Sequence, residues 1–140
     1  MSMQGIHMRT TLILGGAMLL VATGLGPGAA QAQQAGTKRT DLQRHDLSAP
    51  GREVVQVRVD FDPGYVSPKH THPGEEIIYI LEGTLEYEID GKPPVRVEPG
   101  DVLFVPAGTI HAAKSVCSGN GAELATYVVD KGKPLLTLVE

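Results

Sequence analysis

The sequence is poor in several residue types that would point to particular classes of protein. It contains one cysteine, no tryptophan, two phenylalanines and four tyrosines in 140 residues. A single cysteine, Cys117, excludes an intrachain disulfide, and we expect a small, partly buried thiol there rather than a metal ligand or a redox group. The chain also lacks a basic excess, since 12 Lys and Arg stand against 16 Asp and Glu. This balance argues against nucleic acid as a partner, because such a surface requires a basic patch.

Long hydrophobic segments are scarce as well. The uncharged apolar run over residues 12–25 is shorter than the roughly 20 residues that span a bilayer. Arg9 precedes this run, and Ala30-Gln31-Ala32 follows it as a small-residue cleavage site. We therefore expect residues 1–32 to be a signal peptide, starting at Met1 or Met8, and the mature protein to be periplasmic or secreted with no membrane attachment. The alternative is a membrane anchor that the mature protein keeps.

The remaining residues have the length of one domain. Residues 33–52 are polar and favour a linker followed by a loosely attached N-terminal arm, in which His45 is expected to be a surface histidine. From Glu53 onward the pattern changes to strands, because apolar residues alternate with polar ones through Phe61. We assign residues 53–140 to a single folded domain.

Short apolar segments bounded by Gly, Pro or Asn continue to the end of the chain. About eight of them are expected to be strands, with no convincing amphipathic helix among them. They cover residues 53–61, 77–81, 84–89, 95–98, 102–105, 110–116, 122–129 and 135–139. Residues 77–81 are apolar at every position, which predicts a strand buried on both faces. The fold class is therefore all-β, a double-sheet sandwich or barrel that would hold a small molecule in its mouth.

Three histidines and a carboxylate are the chemically distinctive residues. His70 and His72 are two positions apart, so an extended backbone would send both imidazoles to the same side. Glu76 follows a Pro-Gly turn, and His111 comes later, at the start of another expected strand. Three imidazoles and one carboxylate suit a divalent transition metal. The alternative is that these histidines are satisfied core groups without a metal.

Two motifs around these residues resemble the cupin superfamily. The pattern G-x5-H-x-H-x3-E-x6-G is matched from Gly64 to Gly83, and G-x5-P-x-G-x2-H is matched from Gly100 to His111. The usual final asparagine of the second motif is replaced by Ser115, but that asparagine is not a ligand in the family. The resemblance implies a small single-domain cupin with a jelly-roll barrel, also called a double-stranded β-helix. It also implies a metal held by His70, His72, Glu76 and His111, the residues at the motif positions.

The ligand set suggests a reaction class without naming a substrate. It favours Fe²⁺ or Mn²⁺, with Ni²⁺, Cu²⁺ or Zn²⁺ as alternatives, and leaves room for an oxygen-chelating small molecule. A metal-dependent dioxygenase or related enzyme is the leading interpretation, and a non-catalytic small-molecule or metal-binding module is the alternative. No dedicated general base is evident. Glu75, Tyr79 and Lys114 lie near the motifs, but Tyr79 and Lys114 are better explained as packing and surface groups.

The end of the chain bears on the oligomeric state. Residues 135–139 are nearly all apolar, and an uncovered apolar edge strand is an aggregation hazard. The segment either closes the chain's own sheet or, like the N-terminal arm, packs on a second copy. The resemblance to single-domain cupins and the frequency of two-fold dimers favour a homodimer.

Overall fold

The computed structural model describes residues 35–140, and all regular secondary structure in this part of the chain is β-strand. The strands are β1 (Thr37–Asp46), β2 (Arg52–Phe61), β3 (His70–Thr71), β4 (Gly74–Glu82), β5 (Leu85–Ile89), β6 (Val95–Val97), β7 (Val102–Val105), β8 (His111–Ser115), β9 (Gly121–Asp130) and β10 (Thr137–Leu138). Within these residues no helix could cross a membrane. The predicted signal peptide, residues 1–32, lies outside the described residues.

The strands form two antiparallel five-stranded sheets, which confirms the predicted all-β double-sheet fold. Sheet A has the order β1-β2-β9-β4-β7, and sheet B has the order β10-β3-β8-β5-β6. Alternate residues of the long strands point into one shared core, as Val57 and Ile78 of sheet A and Leu85 of sheet B show, each with 0% exposure. This is the double-stranded β-helix barrel.

Strand β1 corrects the expectation of a loosely attached arm. Thr37–Asp46 pair along their whole length with β2, with one irregularity between Asp41 and Gln43. Hydrophobic periodicity misses this strand because β1 lies at the edge of sheet A and only Thr37 and Arg39 are partly buried. Backbone pairing to β2, which sequence periodicity does not report, holds it in place. His45 is exposed on β1, as expected.

Strand β4 is buried on one face only, which corrects the prediction of burial on both. Its inward residues Ile78 and Ile80 are fully buried, whereas Ile77 and Tyr79 are 42% and 44% exposed. On the neighbouring strand Phe104 lies opposite Ile77 and Val102 lies opposite Tyr79, and both are at least half exposed. The outward face of sheet A has no covering layer among residues 35–140. Ile77, Tyr79, Val102 and Phe104 form an outer apolar patch.

The C-terminal segment closes the chain's own sheet, which was the first of the two alternatives for it. Thr137 and Leu138 pair with Thr71 and His70 of β3, and Leu135 is buried in the core.

Proline and glycine residues lie in the short connections that bound the strands. Pro106 immediately follows the end of β7. The motif glycines at positions 64, 83, 100 and 108 all have positive φ, as does Gly91 in the turn after β5. At Gly83 a side chain would in addition meet the backbone oxygen of Asn120 at 2.6 Å.

Candidate metal centre

Strand pairing brings the four motif residues together inside the barrel. His70 on β3 lies directly opposite His111 on β8, so the two imidazoles are cross-strand neighbours in sheet B. His72 follows β3 where the chain passes from sheet B to sheet A. Glu76 lies on β4 in the inward phase that it shares with Ile78. Residues from both sheets therefore converge on one point.

The distances within this group fit a single ion. The ligand nitrogens of His70, His72 and His111 all lie within 4.8 Å of one another, so this histidine cluster could hold a metal. The Glu76 Oε2 atom lies 3.1 Å from His111 Nε2 and 3.4 Å from His72 Nε2. His72, Glu76 and His111 are at most 4% exposed.

Backbone carbonyl groups fix the tautomer of each ring. Every one of the three histidines places its Nδ1 atom within hydrogen-bond distance of a main-chain oxygen. The pairs are His70 with Pro68 at 2.8 Å, His72 with Leu135 at 2.6 Å and His111 with Thr109 at 2.9 Å. A carbonyl only accepts, so we assign the ring proton to Nδ1, which leaves the Nε2 lone pair for a metal. Such outer contacts are the usual support of metal-binding histidines.

Two buried atoms of the site have no hydrogen-bond partner among the described residues, namely His72 Nε2 and Glu76 Oε2. Buried polar atoms without partners are rare because they lose the hydrogen bonds that water would supply. A divalent cation would satisfy both atoms together with the lone pairs of His70 and His111. The residues present therefore fit a metal.

The electrostatics of the site favour neutral imidazole at His70 and a charged carboxylate at Glu76. Burial lowers the pKa of His70 to about 4. Burial alone would raise the pKa of Glu76, but the adjacent His111 and His72 rings lower it below its usual range. Burial opposes protonation of His111 in the same way, yet the Glu76 carboxylate raises its pKa. A neutral imidazole and an ionised carboxylate are the forms that bind metal ions.

The other residues near the motifs do not belong to this group. Glu75 faces outward and forms an ion pair with Arg52 at 2.7 Å, as its opposite phase on β4 predicts. Tyr79 is part of the outer apolar patch, and Lys114 is exposed. Cys117 is a partly buried thiol with hydrogen bonds to the backbone oxygens of Gly119 and Asn120.

Sequence reasoning missed a second set of polar side chains inside the barrel, here called the interior polar cluster. It consists of Arg39, Tyr87, Glu123 and Tyr127. The Tyr127 ring packs against His72 with a centroid distance of 4.7 Å, and its hydroxyl accepts a hydrogen bond from Arg39 Nη2 at 3.1 Å. The Tyr87 hydroxyl donates a hydrogen bond to Glu123 Oε2. The sequence feature that could have indicated this cluster is Glu123, a charged residue among the inward-facing positions of β9.

Two members of the interior polar cluster, Glu123 and Tyr127, have raised pKa values. Burial and the charge of Glu76 raise the pKa of Glu123 well above its usual value. The same two effects, in the same order, raise the pKa of Tyr127. Tyr127 is therefore a neutral phenol beside His72, suited to donating a hydrogen bond rather than to removing a proton.

Comparison with known proteins establishes the family. The Cupin_2 family model, described as a cupin domain, matches residues 57–130, which include the four motif residues and most of both sheets. The chain belongs to the cupin family.

The curated relatives that the chain matches are longer proteins. The chain is 46% identical over 52 residues to dimethylsulfoniopropionate lyase DddQ from Ruegeria pomeroyi, covering 37% of this chain and 26% of that protein. It is 32% identical over 77 residues to germin-like protein subfamily 2 member 1 from Arabidopsis thaliana, covering 49% and 35%. The crystal structure of the Ruegeria DddQ lyase superposes with a TM-score of 0.63 at 28% identity, covering 74% of this chain and 52% of that one. The chain thus spans about a quarter to a third of these two curated relatives.

Proposed function

We propose that this protein is a metal-dependent enzyme that acts on a small oxygen-chelating substrate inside the barrel. The single observation that carries the proposal is the buried cluster of three imidazoles whose Nδ1 atoms are held by main-chain carbonyl groups, with the Glu76 carboxylate beside His72 and His111. The proposed ligands are His70, His72, Glu76 and His111. Fe²⁺ or Mn²⁺ fits this mixed nitrogen and oxygen set best, with Ni²⁺, Cu²⁺ or Zn²⁺ as alternatives.

A dioxygenase-like oxidoreductase is the reaction class that the residues support best. A bound ion would supply Lewis-acid or redox chemistry to a substrate oxygen. The protein would hold the ion with the histidine cluster and orient the substrate with the neutral Tyr127 hydroxyl. Neither Tyr127, whose pKa is raised by burial, nor Glu76, whose pKa is lowered by the adjacent imidazoles, is suited to act as a general base near neutral pH. Chemistry that depends on the ion rather than on a side-chain base is therefore favoured.

A lyase reaction is the second candidate, because the similarity to the DddQ lyase includes residues in the barrel. Oxygen uptake by the metal-loaded mature protein against a panel of enediols, flavonols and small oxo-acids separates the two. Uptake supports the dioxygenase, whereas turnover under nitrogen supports a lyase. A metal-replete protein that is inert in both assays would contradict the enzyme and favour a non-catalytic binding module.

Export remains a proposal that rests on residues 1–32. We expect the mature protein in the periplasm or the medium to begin at Gln33, because signal peptidase cleaves after an A-x-A segment such as Ala30-Gln31-Ala32. Intact-mass analysis of the protein recovered from each fraction tests this. A membrane-bound protein that retains the mass of residues 1–32 would instead identify this segment as an anchor.

A homodimer is also proposed, now through a different surface. Because β10 closes the chain's own sheet, the outer apolar patch on β4 and β7 is the better candidate for an interface. We expect the mature protein to have a dimer mass in light scattering at micromolar concentration. Phe104→Lys should shift it toward the monomer, since a charge would be buried in the interface. Lys114→Ala, an exposed change on sheet B, is the control, and a monomeric wild-type protein would contradict the proposal.

A further inference from the structure

Arg39 differs from the other arginines of the described residues. Each of the others forms an ion pair with a carboxylate. These pairs are Arg44 with Glu53, Arg52 with Glu75 and Asp130, Arg58 with Asp60 and Glu82, and Arg96 with Glu86. Arg39 has no ion pair with any carboxylate of residues 35–140, and its Nε atom is buried without a hydrogen-bond partner there.

The Arg39 guanidinium has N–H donors that could still bind a ligand. Arginine stays protonated and presents five N–H donors in a planar arrangement that matches a carboxylate. The structure accounts for one of these contacts, the hydrogen bond from Nη2 to the Tyr127 hydroxyl. A buried donor without an acceptor is unfavourable. Against the effect of burial, the charges of Glu123 and Glu76 help to raise the pKa of Arg39, but no hydrogen bond or ion pair within residues 35–140 joins either carboxylate to the guanidinium. A negatively charged acceptor would satisfy the Nε donor.

The location of Arg39 identifies where that negative charge would lie. Tyr127 contacts Arg39 through its hydroxyl and packs its ring on His72, so a single side chain separates the guanidinium from the histidine cluster. The nearby Glu123 is a poor counter-ion, because burial raises its pKa and it accepts a hydrogen bond from Tyr87. Glu76 is oriented toward His72 and His111 instead.

We propose that Arg39 binds the carboxylate of a small organic anion whose other oxygen group reaches the histidine cluster. This inference rests on the proposed function and narrows its substrate class to metal-chelating carboxylates. The histidine cluster would bind one end of the molecule, and the Arg39 guanidinium would bind the other. The neutral Tyr127 side chain would lie between these two binding groups. The neutral flavonols and enediols would then bind less well than oxo-acids and dicarboxylates.

Calorimetric titration of the Mn²⁺-loaded mature protein with malonate tests the proposal, with malonamide as the uncharged analogue at constant ionic strength. Charge-assisted hydrogen bonds from arginine are strong enough that Arg39→Gln should weaken malonate binding by about tenfold or more. Lys38→Gln removes one positive charge from an exposed position on the same strand, and its affinity should stay within about twofold of the wild type. Malonamide affinity should be the same in all three proteins.

A second variant and a metal measurement keep the result interpretable. Arg39→Lys keeps the charge but loses the planar arrangement of donors, so it should bind malonate with intermediate affinity. Retained metal in Arg39→Gln together with weakened malonate binding supports the proposal. Unchanged malonate affinity in Arg39→Gln, or loss of its bound metal, would overturn it, because Arg39 would then only pack or balance the charge of Glu76.

The titration is repeated on protein from which a chelator has removed the metal. This distinguishes failure of the proposed metal-dependent function from failure of the anion site at Arg39. Wild-type protein without any metal affinity would contradict the proposed function. A loss of malonate binding in metal-free Arg39→Gln relative to metal-free wild type would still support the anion site. Wild-type protein that binds malonate no better than malonamide would overturn it.

Discussion

Replacing His70, His72 or His111 with alanine is expected to remove most of the bound metal in each case. Changes to outer-shell partners of metal ligands typically cost about 10–100-fold in affinity, so loss of a direct ligand should cost at least as much. Metal content per chain after dialysis, measured by inductively coupled plasma mass spectrometry, gives the result. His45→Ala is the matched control, since His45 is exposed on β1.

The two adjacent glutamates make the same test specific for the carboxylate. Glu76→Gln removes the charge beside His72 and His111, whereas Glu75→Gln removes the ion pair with Arg52 on the outer face. We expect the larger loss of metal from Glu76→Gln. Equal losses from His45→Ala and His72→Ala, or a larger loss from Glu75→Gln, would mean that the site is assigned to the wrong residues.

Removing the metal is expected to lower the thermal stability of the wild-type protein strongly. The ion would stabilise the folded state by mass action, by about 2.7 kcal/mol when its free concentration is a hundred times the dissociation constant. In a domain of about 100 residues this corresponds to a midpoint shift of about 10 °C or more. Differential scanning calorimetry with and without a chelator measures the shift, and added Mn²⁺ should reverse it.

The His72→Ala variant separates this effect from any general action of the chelator. It lacks a ligand, so its unfolding midpoint should change little when the chelator or Mn²⁺ is added. If the unfolding midpoint of the wild-type protein does not shift with the chelator, then no metal stabilises the folded protein. That result would contradict a metal ion bound by the buried residues His72, Glu76 and His111. A comparable shift in His72→Ala would place the stabilising ion elsewhere.

Much of the fold follows from local patterns. Alternating apolar residues and bounding glycines locate β2 and β4 to β9 within a few residues, because burial in the core and turn geometry both act locally. Spacing alone also places His70, His72 and Glu76 near one another. Their convergence with His111 depends on the long-range pairing of β3 with β8, for which the resemblance to the cupin motifs was the guide.

The features that the sequence conceals depend on tertiary position. Strand β1 carries little apolar periodicity, so its pairing with β2 is visible only in the fold. The same is true of Arg39, which approaches Tyr127 across sheet A although 88 positions separate them in sequence. Because residues 77–81 are apolar at every position, their sequence could not reveal that Ile77 and Tyr79 face outward without a covering layer. The sequence therefore indicates the histidine cluster, but it does not indicate the position of Arg39, which would help to select the ligand.

The central claim is that one divalent ion is bound by His70, His72, Glu76 and His111. The most direct test is anomalous diffraction from crystals of the Mn²⁺-loaded mature protein, collected at a wavelength where manganese scatters anomalously. We predict one peak inside the barrel, coordinated by the three histidine Nε2 atoms and a Glu76 carboxylate oxygen. A peak coordinated through Nδ1, a peak at Glu75 or on the surface, or no peak in the barrel at all would contradict the claim.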